Sequence, residues 1–174
     1  MKIRIVLLPD KKLTKETKKA SQLIFNKVKT HFKLDLSHIP HVTIIALNLD
    51  ENDLLEIIKS IKKYSNHKKI KIKTSEAKIS KKSFIGMYFQ DDNLIKKLRE
   101  QIIMSLSKYN KEEIVTKQPH ITLTRLVHEK DASTSLKIAK DFPKKNYCLD
   151  SLAICKDGPN GTCTKIIFKI TLIG

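Results

Sequence analysis

Two short stretches of the chain share one pattern: Pro40-His41-Val42-Thr43-Ile44 and Pro119-His120-Ile121-Thr122-Leu123. Each consists of a proline, a histidine, an apolar residue, a threonine and a second apolar residue. With five prolines and six histidines in 174 residues, roughly 0.002 copies of this pentapeptide are expected by chance. The repeat therefore indicates two related functional segments.

Strand geometry explains the spacing inside each copy. Residues i and i+2 of a strand point to the same face, so His41 shares a face with Thr43, and His120 with Thr122. A neutral imidazole can remove a proton while a protonated one donates a proton. Threonine hydroxyls can donate hydrogen bonds to phosphate oxygens. If both pairs face one cleft, the pattern predicts phosphoryl chemistry that needs no metal.

The surrounding hydrophobic periodicity predicts an α+β fold. The order of elements in the first half of the chain recurs in the second. This favours a duplicated, bilobal fold with two antiparallel sheets flanked by helices around a central cleft. We expect one domain, 1–174, with pseudo-repeat lobes of roughly 1–80 and 81–174. Helices are predicted at 13–32, with Thr14 as the N-cap, and at 51–64, 93–108 and 131–141. Strands are predicted at 2–8, 41–47, 69–79, 83–89, 120–127, 147–155 and 164–172, with a turn at 158–161.

The composition favours an anionic partner. Lysine and arginine total 35 against 18 aspartate and glutamate residues, a formal charge of +17, as expected of a protein that binds nucleic acid or nucleotides. Only three of the basic residues are arginines: Arg4, Arg99 and Arg125. The first apolar run is too short for a signal peptide, and no run approaches the ~18 apolar residues of a membrane span. We expect a cytoplasmic monomer that does not bind membranes.

Neither the cysteines nor the histidines indicate a metal site or a cofactor. Cys148, Cys155 and Cys163 form no Cys-x-x-Cys pair, so reduced, apolar-packed thiols are predicted in preference to a disulfide framework. His38 and His41 have a metal-like spacing, but no acidic or thiol group accompanies them. We expect no metal and no cofactor.

The duplicated motif and the order of elements resemble the 2H phosphoesterase superfamily. That group includes the RNA 2′,3′-cyclic phosphodiesterases, also called 2′-5′ RNA ligases. The resemblance implies metal-independent cleavage of a cyclic phosphate or of a 2′-5′ linkage. It assigns water activation to His120, protonation of the departing oxygen to His41, and phosphate binding to Thr43 and Thr122.

The second copy continues as PHITLTR, and Arg125 lies where related proteins often carry an arginine. The resemblance implies that Arg125 helps to hold phosphate or nucleotide. Strict strand parity, in contrast, places Arg125 on the face opposite His120. Family members also stack the base on an aromatic side chain. The candidates here are Tyr88, Phe84 and Phe89.

We therefore predict hydrolysis of 2′,3′-cyclic phosphate ends of RNA, or of related cyclic nucleotides, to a 2′-phosphate. The predicted partner is RNA or a nucleotide that carries a cyclic phosphate or a 2′-5′ linkage. A 2′-5′ oligonucleotide phosphodiesterase and a non-catalytic RNA-binding module are the alternatives.

Overall fold

The computed structural model describes residues 1–81, 83–109, 111–112 and 118–174. Eight strands lie in these ranges. They are β1 (Lys2–Pro9), β2 (Val42–Asn48), β3 (Ile70–Ser80), β4 (Phe84–Phe89), β5 (Lys111–Glu112), β6 (His120–Arg125), β7 (Asn146–Asp157) and β8 (Cys163–Thr171).

The strands form one antiparallel sheet instead of the two that we predicted. Pairing runs in the order β1-β2-β6-β4-β3-β7, and β7 also pairs with β1, so these strands form a closed circuit. β5 adds to β2, and β8 adds to β7. The two halves of the chain are joined because β2 pairs with β6 at Val42 and Ile121, and because β7 bonds to both β1 and β3.

Helices supply the apolar layer that covers one face of the sheet. They are α1 (Lys11–Phe25), α2 (Leu54–Lys62), α3 (Asn93–Ser105) and α4 (Ala132–Lys140). Ile3, Ile5 and Leu7 of β1 are fully buried and share a hydrophobic core with Leu13 and Ile24 of α1. Each such side chain contributes roughly 1.5–3 kcal/mol of transfer free energy. The opposite face carries a smaller buried apolar cluster, which includes Val6 and Leu8 of β1, together with polar side chains.

Helix α1 differs from its prediction at both ends. Asp10, not Thr14, is the N-cap, because its side chain accepts a hydrogen bond from the Leu13 amide at 2.7 Å. The helix stops at Phe25, seven residues early. The following backbone instead bonds alongside the end of β6: the His31 amide donates to the Arg125 carbonyl at 2.8 Å. The other three predicted helices are present, each shortened by a few residues.

The cysteine prediction is wrong for two of the three thiols. Cys155 and Cys163 form a disulfide, with their Cα atoms 5.7 Å apart, while Cys148 is free. The β7–β8 hairpin brings the two cysteines together, because Cys163 pairs with Asp157, two residues beyond Cys155. No sequence motif predicts this disulfide. Among the residues described, no helix is long and apolar enough to cross a membrane.

Candidate active site

The two histidines lie where the two halves of the sheet meet. Val42 of β2 pairs with Ile121 of β6 in antiparallel register. That register places His41 level with Thr122 and His120 level with Thr43. Directly opposed residues have Cβ atoms about 4.5–5.5 Å apart. The structure thus brings both predicted pairs to one place on one face of the sheet.

Each imidazole is held by the same hydrogen bond. Nδ1 of His41 donates to the Ile39 carbonyl at 2.7 Å, and Nδ1 of His120 donates to the Gln118 carbonyl at 3.0 Å. A carbonyl can only accept, so the bond fixes the proton on Nδ1 and leaves Nε2 as the proton acceptor of the neutral ring. The acceptor in both copies is the residue before the motif's buried proline.

The surroundings lower the pKa of both rings. Burial is the main cause for His41, whose pKa falls to about 4; the charges of Arg4 and His120 lower it further, while the Ile39 bond and Asp157 oppose the shift. Burial also lowers the pKa of His120. The hydrogen bond to Gln118 raises this pKa, and the charge of Arg99 lowers it. Both rings therefore favour the neutral form at pH 7. An anion bound between them would favour protonation of one ring.

A β-bulge follows the threonine in the second copy. Gly86 of β4 pairs with Thr122, but the adjacent Ile85 pairs with Thr124, so Leu123 is an extra residue in β6. A bulge shifts the alternation of side chains by one position. Leu123 and Thr124 are accordingly both fully buried.

The bulge turns Arg125 to the face that carries His120, against the expectation from strict parity. Its guanidinium carbon lies 5.1 Å from the centre of the Phe84 ring, and Nη1 donates to the side chain of Asn160. Arg125 is partly exposed, so it keeps access to solvent and to an anion. The substrate role of Arg125 stays a prediction.

A matching bulge in the first copy brings in a residue that the sequence analysis did not single out. Ile44 is the extra residue there, between positions paired with Ile5 and Val6. Nη1 of Arg4, on β1, lies 3.5 Å from the Thr43 hydroxyl, and its Nε donates to Asp157. Arg4 thus places a guanidinium beside the histidine–threonine pair of the first half.

The third arginine also reaches the site, from helix α3. Nη2 of Arg99 donates to the backbone carbonyl of Thr43 at 2.8 Å, and its charge acts on His120. All three arginines of the chain therefore lie at this junction, whereas the sequence holds 32 lysines. The rarity of arginine in a lysine-rich chain was the signal that could have identified Arg4 and Arg99.

Tyr88 lies opposite His120 across the β4–β6 ladder. Their ring centroids are 4.9 Å apart in a stacked arrangement, and Nζ of Lys78 is 5.6 Å from the tyrosine ring. Tyr88 is thus placed in the site as a neighbour of His120, while its base-stacking role stays a prediction. Phe84 is partly exposed beside Arg125, and Phe89 is buried in the core.

His38, which has a metal-like spacing from His41 in the sequence, contacts two neighbouring side chains. Its ring stacks on Phe32, with centroids 5.4 Å apart, and Nδ1 lies 3.4 Å from Asp35. Among the side chains that the structure describes, no three histidine, cysteine or acidic groups cluster as metal ligands do.

Solved structures of the 2H phosphoesterase superfamily share this fold, so the resemblance inferred from the paired motif is confirmed at the level of the fold. TT0787 of Thermus thermophilus superposes with a TM-score of 0.68 at 12% identity, over 100% of this chain and 99% of that chain. Escherichia coli LigT complexed with ATP gives 0.63 at 13% identity, over 99% and 98%. The MHV ns2 PDE domain gives 0.50 at 16% identity, over 74% and 80%. No protein family model matches the sequence, and no curated protein matches it at a significant level.

Proposed function

We propose that this chain is a metal-independent phosphodiesterase that hydrolyses the 2′,3′-cyclic phosphate end of RNA, or a related cyclic nucleotide, to a 2′-phosphate. The observation that carries the proposal is the matched pair of imidazoles. Each ring is fixed through Nδ1 to a backbone carbonyl, on the same face of one sheet junction. This arrangement presents two proton-transfer atoms to a single anion.

The proposed reaction is an in-line displacement at phosphorus. Nε2 of His120 takes a proton from water as the water oxygen bonds to phosphorus. The bond from phosphorus to O3′ breaks, and protonated His41 gives its proton to O3′. The products are a 2′-phosphate and a free 3′-hydroxyl. Each proton transfer is typically worth ~10²–10⁴-fold in rate.

The remaining polar groups bind the phosphate in this proposal. The hydroxyls of Thr43 and Thr122 donate to non-bridging oxygens. Arg4, which lies beside the Thr43 hydroxyl, and Arg125, on the face that carries His120, compensate negative charge. The bound anion also raises the pKa of His41 from its low value, so that this ring carries the proton it must donate.

Two further observations support a nucleotide substrate. The net charge of +17 attracts polyanions. LigT, which shares the fold, has been solved in complexes with ATP, 3′-AMP and phosphate.

The test is a turnover assay in EDTA with 2′,3′-cyclic AMP, RNA with a cyclic phosphate end, ADP-ribose cyclic phosphate and 2′-5′ oligoadenylate. We expect cleavage of a cyclic phosphate substrate, and a loss of ~10²-fold or more in kcat for His41→Asn and for His120→Asn. The exposed His128 provides the matched control, His128→Asn, which keeps normal turnover.

Near-normal turnover by either active-site variant, or loss of activity in EDTA, would overturn the proposal. Cleavage of 2′-5′ oligoadenylate alone would favour the 2′-5′ phosphodiesterase. Tight RNA binding without any product would favour the binding module.

A further inference from the structure

A second pocket lies on strands β3 and β7, apart from the histidines. Its volume is about 580 Å³, and its lining includes Lys71, Lys73, Gln90, Asn146 and Tyr147. Pockets that hold small ligands commonly have volumes of about 300–1,000 Å³. The pocket is therefore large enough for a nucleotide unit.

The pocket lies close to the histidine pair because strand β4 leads from one to the other. Tyr88 is opposite His120, and Gln90 follows two residues later, with its amide bonded to the Lys73 carbonyl at 2.9 Å. Two residues of extended chain span about 6.6 Å. Strand β1 also leads from the histidine pair to the pocket. Its Leu7 is paired with Val42 beside His41, and Asp10 at its end lines the pocket.

The pocket and the histidines also share a face of the sheet. Lys71 and Lys73 are exposed, and they alternate with the core residues Ile70 and Ile72. They therefore project away from the helix layer, as do the histidine and threonine pairs. A substrate lying on this face can contact both places at once.

The carboxylates of the pocket accept hydrogen bonds from backbone amides. Asp10 accepts hydrogen bonds from the amides of Leu13 at 2.7 Å and Cys148 at 2.8 Å. Asp91 accepts one from the amide of Asn93 at 3.0 Å. These carboxylates stabilise the chain around the pocket, and they also balance the charge of its two lysines.

The other polar groups suit a nucleotide. The side-chain amides of Gln90 and Asn146 offer both donors and acceptors to the edge of a base. The lysine ammoniums offer partners to a phosphate.

We propose that this pocket binds the nucleotide that precedes the cyclic end, so that the chain acts on oligoribonucleotides in preference to mononucleotides. The proposal rests on the proposed function. A 2′,3′-cyclic phosphate closes the 3′ end of its strand, so a longer substrate can extend from the catalytic junction only through its 5′ neighbour.

The test compares 2′,3′-cyclic AMP with a dinucleotide and a tetranucleotide that end in a cyclic phosphate. We expect kcat/KM to be at least tenfold higher for the dinucleotide than for the mononucleotide. The double variant Lys71→Glu/Lys73→Glu should raise KM for the oligonucleotides about tenfold or more and change KM for 2′,3′-cyclic AMP less than threefold.

The matched control is Lys15→Glu/Lys19→Glu. It makes the same charge change at exposed positions on α1, in the helix layer. Equal kcat/KM for mononucleotide and dinucleotide, or equal effects of the two double variants, would overturn the pocket proposal.

Calorimetric binding of a dinucleotide with a 3′-phosphate separates this proposal from the proposed function. Binding weakened by Lys71→Glu/Lys73→Glu, in a protein that turns over no cyclic phosphate, would support the pocket while the proposed reaction fails. Turnover of 2′,3′-cyclic AMP, with no effect of the pocket variant on oligonucleotide turnover or on dinucleotide binding, would support the proposed reaction while the pocket proposal fails.

Discussion

Gly86 is the residue against which the His120 ring is packed. A β-carbon built at Gly86 lies 2.9 Å from Cδ2 of His120 and 3.2 Å from Cε2 of Tyr88. Both distances are shorter than ordinary carbon–carbon contacts. Only glycine at this strand position therefore lets the imidazole lie flat between the strand and the tyrosine ring.

We predict that Gly86→Ala displaces the His120 ring and lowers kcat about 10–100-fold. The added methyl overpacks the site, which typically costs about 1–3 kcal/mol, so the protein should remain folded. Steady-state kinetics and the melting temperature measure the two effects. Gly174→Ala is the control, because its β-carbon would meet Lys69 Nζ only at 3.8 Å. An unchanged kcat in a folded Gly86→Ala protein would contradict the proposed packing role.

The meeting of the two histidine–threonine pairs at one junction could be predicted from the sequence because their pattern is local and repeated. The roles of Gly86 and Arg4 could not. Gly86 matters through a ring more than 30 positions away along the chain, and Arg4 through Thr43 and Asp157 on two other strands. Such roles depend on the strand register, which local periodicity does not specify.

The elements that deviated from prediction did so where tertiary contacts outweigh local pattern. Parity along β6 placed Arg125 on the wrong face because the sequence does not mark the bulge at Leu123. Helix α1 ended early because the segment after it bonds to β6, although Phe32 at the predicted helical spacing is still buried in the core.

The β7–β8 hairpin controls the charge around His41. Asp157 at the end of β7 pairs with Arg4, and both side chains are only 12% exposed. The hairpin also holds the backbone beneath the ring, because the Ile39 amide donates to the Cys163 carbonyl at 2.9 Å while the Ile39 carbonyl holds His41. Substitutions in this element should therefore act on the pKa of His41.

Removing the Asp157 carboxylate should lower the pKa of His41 further, since Asp157 raises this pKa and Arg4 lowers it. We predict that Asp157→Asn shifts the NMR titration of His41 to lower pH and that Arg4→Gln shifts it to higher pH. If His41 is the acid, the alkaline limb of the kcat profile should move in the same directions. Arg4→Gln should also raise KM, because the phosphate contact that we propose for Arg4 would be lost.

Glu56→Gln, at the exposed ion pair with Lys108, is the charge-matched control and should leave the titration of His41 in place. Shifts of the same sign in the Asp157 and Arg4 variants would show that the hairpin does not tune this ring through charge.

For the whole molecule, the low pKa of His41 predicts how stability depends on pH. The unfolded chain binds a proton at His41 near its ordinary pKa of about 6.5, whereas the folded chain binds it only near about 4. Unfolding therefore takes up a proton between these values. The free energy of unfolding must then fall as the pH drops from about 6.5 to about 4.

We expect this loss to be of order 2–3 kcal/mol at His41. This is less than the full pKa difference implies, because the ring has partial access to solvent. Denaturant titrations at several pH values between 7 and 4 measure it. His41→Gln should lose less stability than the wild type over this range, and saturating phosphate should restore part of the wild-type loss. Parallel curves for the two proteins would contradict the lowered pKa.

The strand circuit leaves β8 as an open edge: in the part of the chain that the structure describes, β8 pairs with β7 alone. An unpaired edge is a template on which further copies can add and aggregate, and lysine side chains there oppose such addition. Lys165 and Lys169 are exposed on β8, beside an exposed Ile166. Part of the positive charge of this chain thus protects it from fibril-like self-association, independently of any anion that the other lysines attract.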